Sequence, residues 1–222
     1  MGLINFGVPK EEVEFLQKSM NLDTFVEGGT YKGGTAKEMS SKFKKVFTIE
    51  KSDIMFNEAS HNLKDISNVT MLKGDTREHL HSIMKNNDNI LFWLDAHWSG
   101  GDTYGEEDEC PLIEELEIIF EYNKNFIILI DDARLFLAPP PLPHKIENWP
   151  SLTDVFHVLP MNWELLEFED VIYLFPKQVD NHFKKFIQKI TTDRWNAYGK
   201  NNQVSFFKGI KIAILGLLKG RL

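Results

Sequence analysis

Cysteine is almost missing from this chain: Cys110 is the only one in 222 residues. A lone thiol excludes a disulfide within the chain and a cysteine-based zinc site, and it fits a reducing compartment. Long apolar runs are also missing. No stretch of about 18 apolar residues occurs, so no integral membrane segment is expected. Cations are outnumbered, with 25 Lys and Arg against 33 Asp and Glu and a formal charge of −8. A face that binds phosphates needs a cationic excess, so no nucleic-acid partner is expected, although a local basic patch stays open. The first ten residues, "MGLINFGVPK", lack a cationic segment followed by a long apolar core, so no signal peptide is expected. Phe6 stands where a myristoylation signal has Ser or Thr. Cytoplasmic placement is the default expectation.

What is present suits a globular enzyme-sized domain. Apolar residues make up 42% of the chain and charged residues 26%, and seventeen Phe with five Trp supply a core. Neither repeats nor low-complexity segments occur. Short apolar runs alternate with longer amphipathic ones. Strands are expected at "DTFVEG" (23–28), "KVFTIE" (45–50), "NVTMLKG" (68–74), "NILFWLDA" (89–96) and "NFIILIDD" (125–132). Helical periodicity covers roughly 34–43, 53–65, 76–86 and 110–122. Strands buried on both faces read as continuous apolar runs, as "ILFWL" and "FIILI" do, and this alternation predicts a doubly wound α/β sheet.

After residue 132 the pattern changes. "RLFLAPPPLPHKIENWP" (134–150) is proline-rich and reads as a long loop over one edge of the sheet, neither helix nor central strand. "WELLEFEDVIYLFPK" (163–177) reads as a tight antiparallel hairpin turning near Glu169-Asp170, with a helix following. Three parts are expected: an N-terminal helical segment (1–22), a core (23–177), and a helical extension with a basic tail (178–222). The tail, "FKGIKIAILGLLKGRL", could rest on an anionic membrane or a partner. Its interrupting glycines favour packing on the domain or a homo-oligomer contact.

The stretch "FVEGGTYKGGTAKEM" (25–39) places two Gly-Gly pairs at the turn after the first strand. Glycine there allows a tight turn and lets a ligand lie on the backbone, and the following helix points its N-terminus at that ligand. A tight turn alone is the plainer reading. The nicotinamide fingerprint fails, because from Gly29 its third position is Tyr31, although its sixth is Gly34. The phosphate loop of nucleotide hydrolases fails too, for no G-K-[ST] follows. What fits is acid-x-Gly-x-x-x-Gly, here Glu27, Gly29 and Gly33.

With that loop, the chain resembles the class I S-adenosylmethionine-dependent methyltransferases. The resemblance covers about residues 23 to 176 and implies a Rossmann-like seven-stranded sheet whose last strand is antiparallel. It also implies that the glycine loop lies against the amino-acid part of the cofactor. Glu50 would accept the ribose hydroxyls, and Asp75, after the third strand, would meet the adenine amino group. Expected cofactor contacts are therefore Glu27, Gly28, Gly29, Thr30, Tyr31, Gly33, Glu50, Asp75 and Asp95. Tyr31 departs from the pattern, standing where many members have a second glycine. Glu50 and Asp75 have a plainer alternative as helix caps.

A second cluster follows strands four and five: Asp95 with His97, and Asp131 with Asp132. Three carboxylates converging at neighbouring strand ends repel one another, and Mg²⁺ bound by Asp95, Asp131 and Asp132 would relieve that. The arrangement resembles the metal-dependent branch of small-molecule O-methyltransferases, including those acting on sugars. It implies His97 as general base beside Asp95. The plainer alternative is that Asp95 and His97 fix the loop and that one Asp of the pair turns the chain. "WSGGDTY" (98–104) offers Trp98, Asp102 and Tyr104 as substrate contacts. "GEEDECP" (105–111) lacks calcium-loop spacing and reads as acids complementing the dipole of the next helix. His61, His79 and His81 lack metal spacing.

The sequence thus points to a methyltransferase acting on a hydroxyl of a small polar acceptor. A sugar or nucleotide-linked glycan precursor of polysaccharide biosynthesis would suit the polar, acidic site. A non-catalytic nucleotide- or cofactor-binding module on the same fold is the rival.

Overall fold

The computed structural model describes residues 7–98 and 108–202, together with Ile210 and Leu215. Within it the elements run α1 (Lys10–Met20), β1 (Thr24–Gly28), α2 (Gly34–Met39), β2 (Lys45–Glu50), α3 (Asp53–Leu63), β3 (Val69–Lys73), α4 (Thr76–Asn86) and β4 (Asn89–Leu94). These are followed by α5 (Leu112–Phe120), β5 (Asn125–Ile130), α6 (Arg134–Leu137), α7 (Leu152–Val158), β6 (Trp163–Phe168), β7 (Val171–Pro176) and α8 (Lys177–Asn202). The seven strands form one sheet in the order β3-β2-β1-β4-β5-β7-β6. All neighbours from β3 to β5 are parallel, and β7 is antiparallel to both β5 and β6. This is the sheet expected from the sequence.

The apolar runs lie where their composition demands. In β4 and β5 every residue after the first is buried, because helices cover both faces. An apolar cluster joins Phe92, Ile128 and Leu174 of the sheet to Leu80 and Met84 of α4 and to Leu116 and Ile119 of α5. The hairpin turns through Glu169 (φ 53°) and Asp170 (φ 68°), both left-handed as a two-residue hairpin loop requires.

Residues 134–150 correct the expectation of a wholly irregular loop. Arg134–Leu137 forms one helical turn, and Ile146–Asn148 a short 3-10 turn. The prolines begin only at Pro139, so the turn before them closes freely, with Leu135 N–H donating to the Asp132 carbonyl at 2.8 Å. Helix α7 was not expected either. Its start is fixed by a capping box, in which Ser151 accepts from Asp154 N–H and Asp154 accepts from Ser151 N–H.

The chain divides into two units, Met1–Asp180 and Asn181–Leu222. In the second, Phe183 stacks on Phe186 with ring centroids 6.4 Å apart. Among the described residues no helix is long and apolar enough to cross a membrane. Most of the basic tail lies outside the described residues.

Candidate active site

Strand order reverses between β1 and β4: the chain moves outward from β1 to β2 and β3, then returns to pair β4 against β1. Loops leaving adjacent strands at such a switch point diverge and leave a crevice at the carboxyl ends. The glycine pairs sit there. Gly29 has φ +89°, and a Cβ on it would lie 2.3 Å from the Asp95 carbonyl oxygen. A Cβ on Gly33 (φ +80°) would lie 2.9 Å from Leu63, and one on Gly28 3.0 Å from Thr76 Oγ1. What lies against these three glycines is the protein itself. They let the β1 loop close onto the β4 loop and onto α3.

That closure aims the loop's N–H groups. Gly29 and Thr30 donate to the Ile49 carbonyl at 3.0 and 3.1 Å. Tyr31, left-handed at φ 50°, donates its N–H to Glu50 Oε2 at 2.9 Å, while Ser52 N–H donates to Oε1 at 2.8 Å. Each Glu50 oxygen thus has one donor and one lone pair left for a further donor. Glu27 is fully buried and lies 2.6 Å from the Thr48 hydroxyl, which donates to it. Burial pushes its pKa up to about 8, against the pull of Thr48. Thr30 Oγ1 in turn lies 2.5 Å from Thr48 Oγ1.

Asp75 fills one of its two expected roles. It caps α4, its Oδ1 accepting from Arg77 N–H at 3.0 Å and Arg77 Nε at 2.8 Å. Its Oδ2 accepts from Arg77 Nη2 and Lys51 Nζ, at 2.8 and 2.9 Å. Four donors fill four lone pairs, so an adenine amino group would have to displace one. Burial opposes its charge, but Arg77 and Lys51 outweigh it and hold Asp75 well below the usual carboxylate range. Beneath it Glu115, a residue that sequence reading passed over, is raised to about 7 by burial, and its Oε1 has no hydrogen-bond partner.

The ends of β4 and β5 are brought together as expected. His97 Nε2 lies 3.3 Å from Asp95 Oδ1 and 3.2 Å from Asp132 Oδ2, with the His97 side chain 6% exposed and that of Asp132 2%. These are ion-pair distances without hydrogen-bond alignment to either oxygen. Burial opposes the imidazolium, yet the two carboxylates outweigh it and raise the His97 pKa. Asp132 is lowered in return: burial resists, and His97 and Arg134 prevail. Burial, with Asp95 and Asp132 beside it, pushes Asp131 up to about 7.

One partner of this cluster, Asp170, comes from distant sequence, reached through Arg134. Arg134 Nη1 donates to Asp132 Oδ1 at 2.8 Å and also to Asp170 Oδ2, while Asp170 Oδ1 accepts Arg134 N–H at 3.0 Å. The hairpin turn is thereby tied to the tip of β5. Asp131 Oδ1 accepts Asp132 N–H at 2.8 Å. The acid repulsion expected to call for Mg²⁺ is met within the protein by His97 and Arg134. Among the described residues, no three His, Cys, Asp or Glu are arranged to hold a metal ion. As arranged, the described residues do not fit Mg²⁺.

Beside His97 and Asp132 opens a cavity of about 440 Å³, lined also by Trp98, Arg134, Leu135, Ala138, Pro139, Pro141 and His144. Its proline-rich wall is pinned by Glu109, a residue taken from the sequence as a dipole complement only. The Glu109 side chain is 0% exposed, and its Oε2 accepts from Trp149 Nε1 at 2.8 Å and lies 2.9 Å from His144 Nδ1. Lys145 N–H donates to Oε1 at 3.1 Å. Burial favours the acid, but these donors outweigh it and lower the Glu109 pKa. Trp98 lines the cavity; Asp102 and Tyr104 lie outside the described residues.

No family model matches this chain, and no curated relative does. Solved structures do. A protein described as a caffeoyl-CoA O-methyltransferase from Staphylococcus aureus matches with a TM-score of 0.55 at 13% identity, over 77% of this chain and 84% of that one. An rRNA methylase from Streptococcus thermophilus matches at 13% identity over 76% and 96% of the two chains, with a TM-score of 0.47. The second likeness is too loose to argue from. The first shows the fold: this is the sheet of the class I methyltransferases, with the strand order and antiparallel last strand already described.

Proposed function

We propose that the protein binds S-adenosylmethionine and transfers its methyl group to a hydroxyl of a small polar acceptor, such as a sugar or nucleotide-linked glycan precursor of polysaccharide biosynthesis. The observation that carries the reading is Glu50. It is a buried carboxylate at the tip of β2, oriented by two backbone N–H groups, with a lone pair left on each oxygen. Vicinal ribose hydroxyls are the donors such a group suits, because a carboxylate accepts from both at once. The class I fold and the glycine-closed loop beside it support the same ligand.

When bound, the cofactor would supply an activated methyl group on a sulfonium, so the protein's work is positioning and proton handling. Glu50 binds, and Glu27, Gly28, Gly29, Thr30, Tyr31, Gly33 and Asp95 form the wall beside it. Asp75 contributes by holding Arg77 and the start of α4. The cavity beyond Asp132 holds the acceptor, with Trp98 as an apolar face for it and the proline-rich segment excluding water. His97 sits at the cavity's edge, between the carboxylates of Asp95 and Asp132. The acidic chain and polar cavity favour a small acceptor over nucleic acid. Association of copies through the basic tail is a separate proposal, decided by sizing the protein in solution.

Calorimetric titration with S-adenosylhomocysteine, with and without Mg²⁺, tests the reading. Saturable micromolar binding, lost in Glu50→Ala and indifferent to Mg²⁺, is expected. No binding in either condition would sink the reading.

A further inference from the structure

The acceptor cavity is lined by two imidazoles, and they are held in opposite ways. His97 has both ring nitrogens turned to protein groups: Nε2 sits between Asp95 and Asp132, and Nδ1 lies 3.5 Å from the Trp98 carbonyl. His144 has one nitrogen committed. Its Nδ1 lies 2.9 Å from Glu109 Oε2, and no hydrogen bond to Nε2 occurs among the described residues. A carboxylate only accepts, so Nδ1 carries the hydrogen and Nε2 of the neutral ring carries a lone pair.

We propose that His144 is the base that takes the proton from the acceptor hydroxyl, with Glu109 as the positioning residue that fixes its tautomer and steadies its charge. The inference rests on the methyltransferase reading above and assigns the proton to a different residue of the same cavity. His144 is on the cavity wall, with its side chain 13% exposed. Its ring is wedged edge-on between Trp98 (centroids 5.3 Å apart, 85°) and Trp149 (5.1 Å, 72°). Glu109 is anchored by Trp149 and by Lys145 N–H as well as by His144, so it stays charged and in place while the ring gains a proton. In the step, the acceptor O–H proton passes to Nε2 as its oxygen bonds the methyl carbon. The carbon–sulfur bond of the methyl sulfonium breaks, and its electron pair stays on sulfur, leaving a neutral thioether. The imidazolium left behind is balanced by Glu109. A carboxylate behind an imidazole is the usual way to orient such a base and favour its charged form.

The first test needs no acceptor. Imidazole nitrogen NMR of the full chain with S-adenosylhomocysteine should show the neutral His144 ring with its hydrogen on Nδ1, the nitrogen that faces Glu109. Glu109→Gln should lose that fixed tautomer. A neutral His144 ring with its hydrogen on Nε2 overturns the proposal. The second test measures S-adenosylhomocysteine release with a panel of nucleotide sugars. His144→Asn should lower kcat by about a hundredfold to ten-thousandfold with cofactor affinity unchanged, and Glu109→Gln should move the pH profile of kcat. Wild-type turnover by His144→Asn overturns this inference alone. A wild-type protein that binds no cofactor overturns the methyltransferase reading and this inference together. If no sugar in the panel is turned over, the NMR result decides.

Discussion

The tips of β1 to β3 and the tips of β4 and β5 both gather carboxylates, but they settle the charge differently. On the first side each of Asp75 and Glu50 has a donor two residues along the chain and another from a neighbouring loop. Asp75 is met by Arg77 two residues on and by Lys51, and Glu50 by the N–H groups of Tyr31 and Ser52. On the second side the partners are borrowed. Asp132 depends on His97 and on Arg134, which the hairpin's Asp170 holds, while Asp131 stays raised to about 7. These donors orient Glu50 and Asp75 as acceptors suited to binding, although Glu27 on the same side is raised to about 8 by burial. Borrowed settlement leaves protons that move near neutral pH, which is the property a reacting site needs.

Gly29 joins the two sides, so changing it should have the largest effect. Gly29→Ala demands a left-handed φ of +89° and drives a Cβ to within 2.3 Å of the Asp95 carbonyl. We expect a loss of at least about 3 kcal/mol, or about 10 °C in melting temperature for a chain of this size. A loss under about 1 kcal/mol would mean that the two loops can part, and the sides would then be independent.

Glu50→Ala should separate them. S-adenosylhomocysteine affinity should fall about a hundredfold, the worth of two charge-assisted hydrogen bonds. The titration of the β4–β5 cluster should not change. Calorimetry reads the first and histidine NMR the second. Unchanged affinity would remove the binding role from this side.

Asp131→Asn probes the borrowed side. The folded pKa of Asp131, about 7, lies above its ordinary value of 3.8. The folded state therefore holds this proton more tightly, and the stability it lends is full below pH 3.8 and lost as pH rises through 7. His97, also raised, acts in the same direction: its contribution is full below pH 6.5 and lost above its folded pKa. Asparagine stays neutral and can still accept from Asp132 N–H. The variant should match the wild type near pH 4 and exceed it at pH 8 by about 1–2 kcal/mol, read from urea midpoints. A variant less stable at pH 8 would mean that the Asp131 charge is used, and a bound cation would become the better account.

The same contrast governs what could be read from sequence. Five strands and the hairpin were legible because their apolar periods are local, and Glu50 was legible because a strand end fixes its place. Capping by Asp75 was one of two open readings, since Arg77 sits close enough to be seen. The pairing of Glu109 with His144 spans 35 positions and that of Asp170 with Arg134 spans 36. Neither leaves a local trace: "GEEDECP" looks like a helix entrance, and prolines hide His144 in an apparent loop. Helix α7 was missed for a different reason. Its signal, "SLTD" (151–154), is an S-x-x-D box that lies in plain view but follows a proline-rich stretch.

The smallest effect should come from Tyr31, where the chain departs from the family's glycine. The departure is real in sequence yet costs little in structure. What the loop takes from this position is a positive φ of 50° and an N–H for Glu50 Oε2; the ring itself is 48% exposed. Glycine supplies both at least as well as tyrosine, relieving about 1 kcal/mol of left-handed strain and adding a similar amount of chain entropy to be lost on folding. Tyr31→Gly should therefore shift stability by less than about 1 kcal/mol and cofactor-analogue affinity by no more than about threefold, equivalent to about 0.7 kcal/mol. A tenfold loss of S-adenosylhomocysteine affinity would show that the ring touches the ligand. The β1–β3 side would then bind through a side chain as well as through backbone and carboxylate.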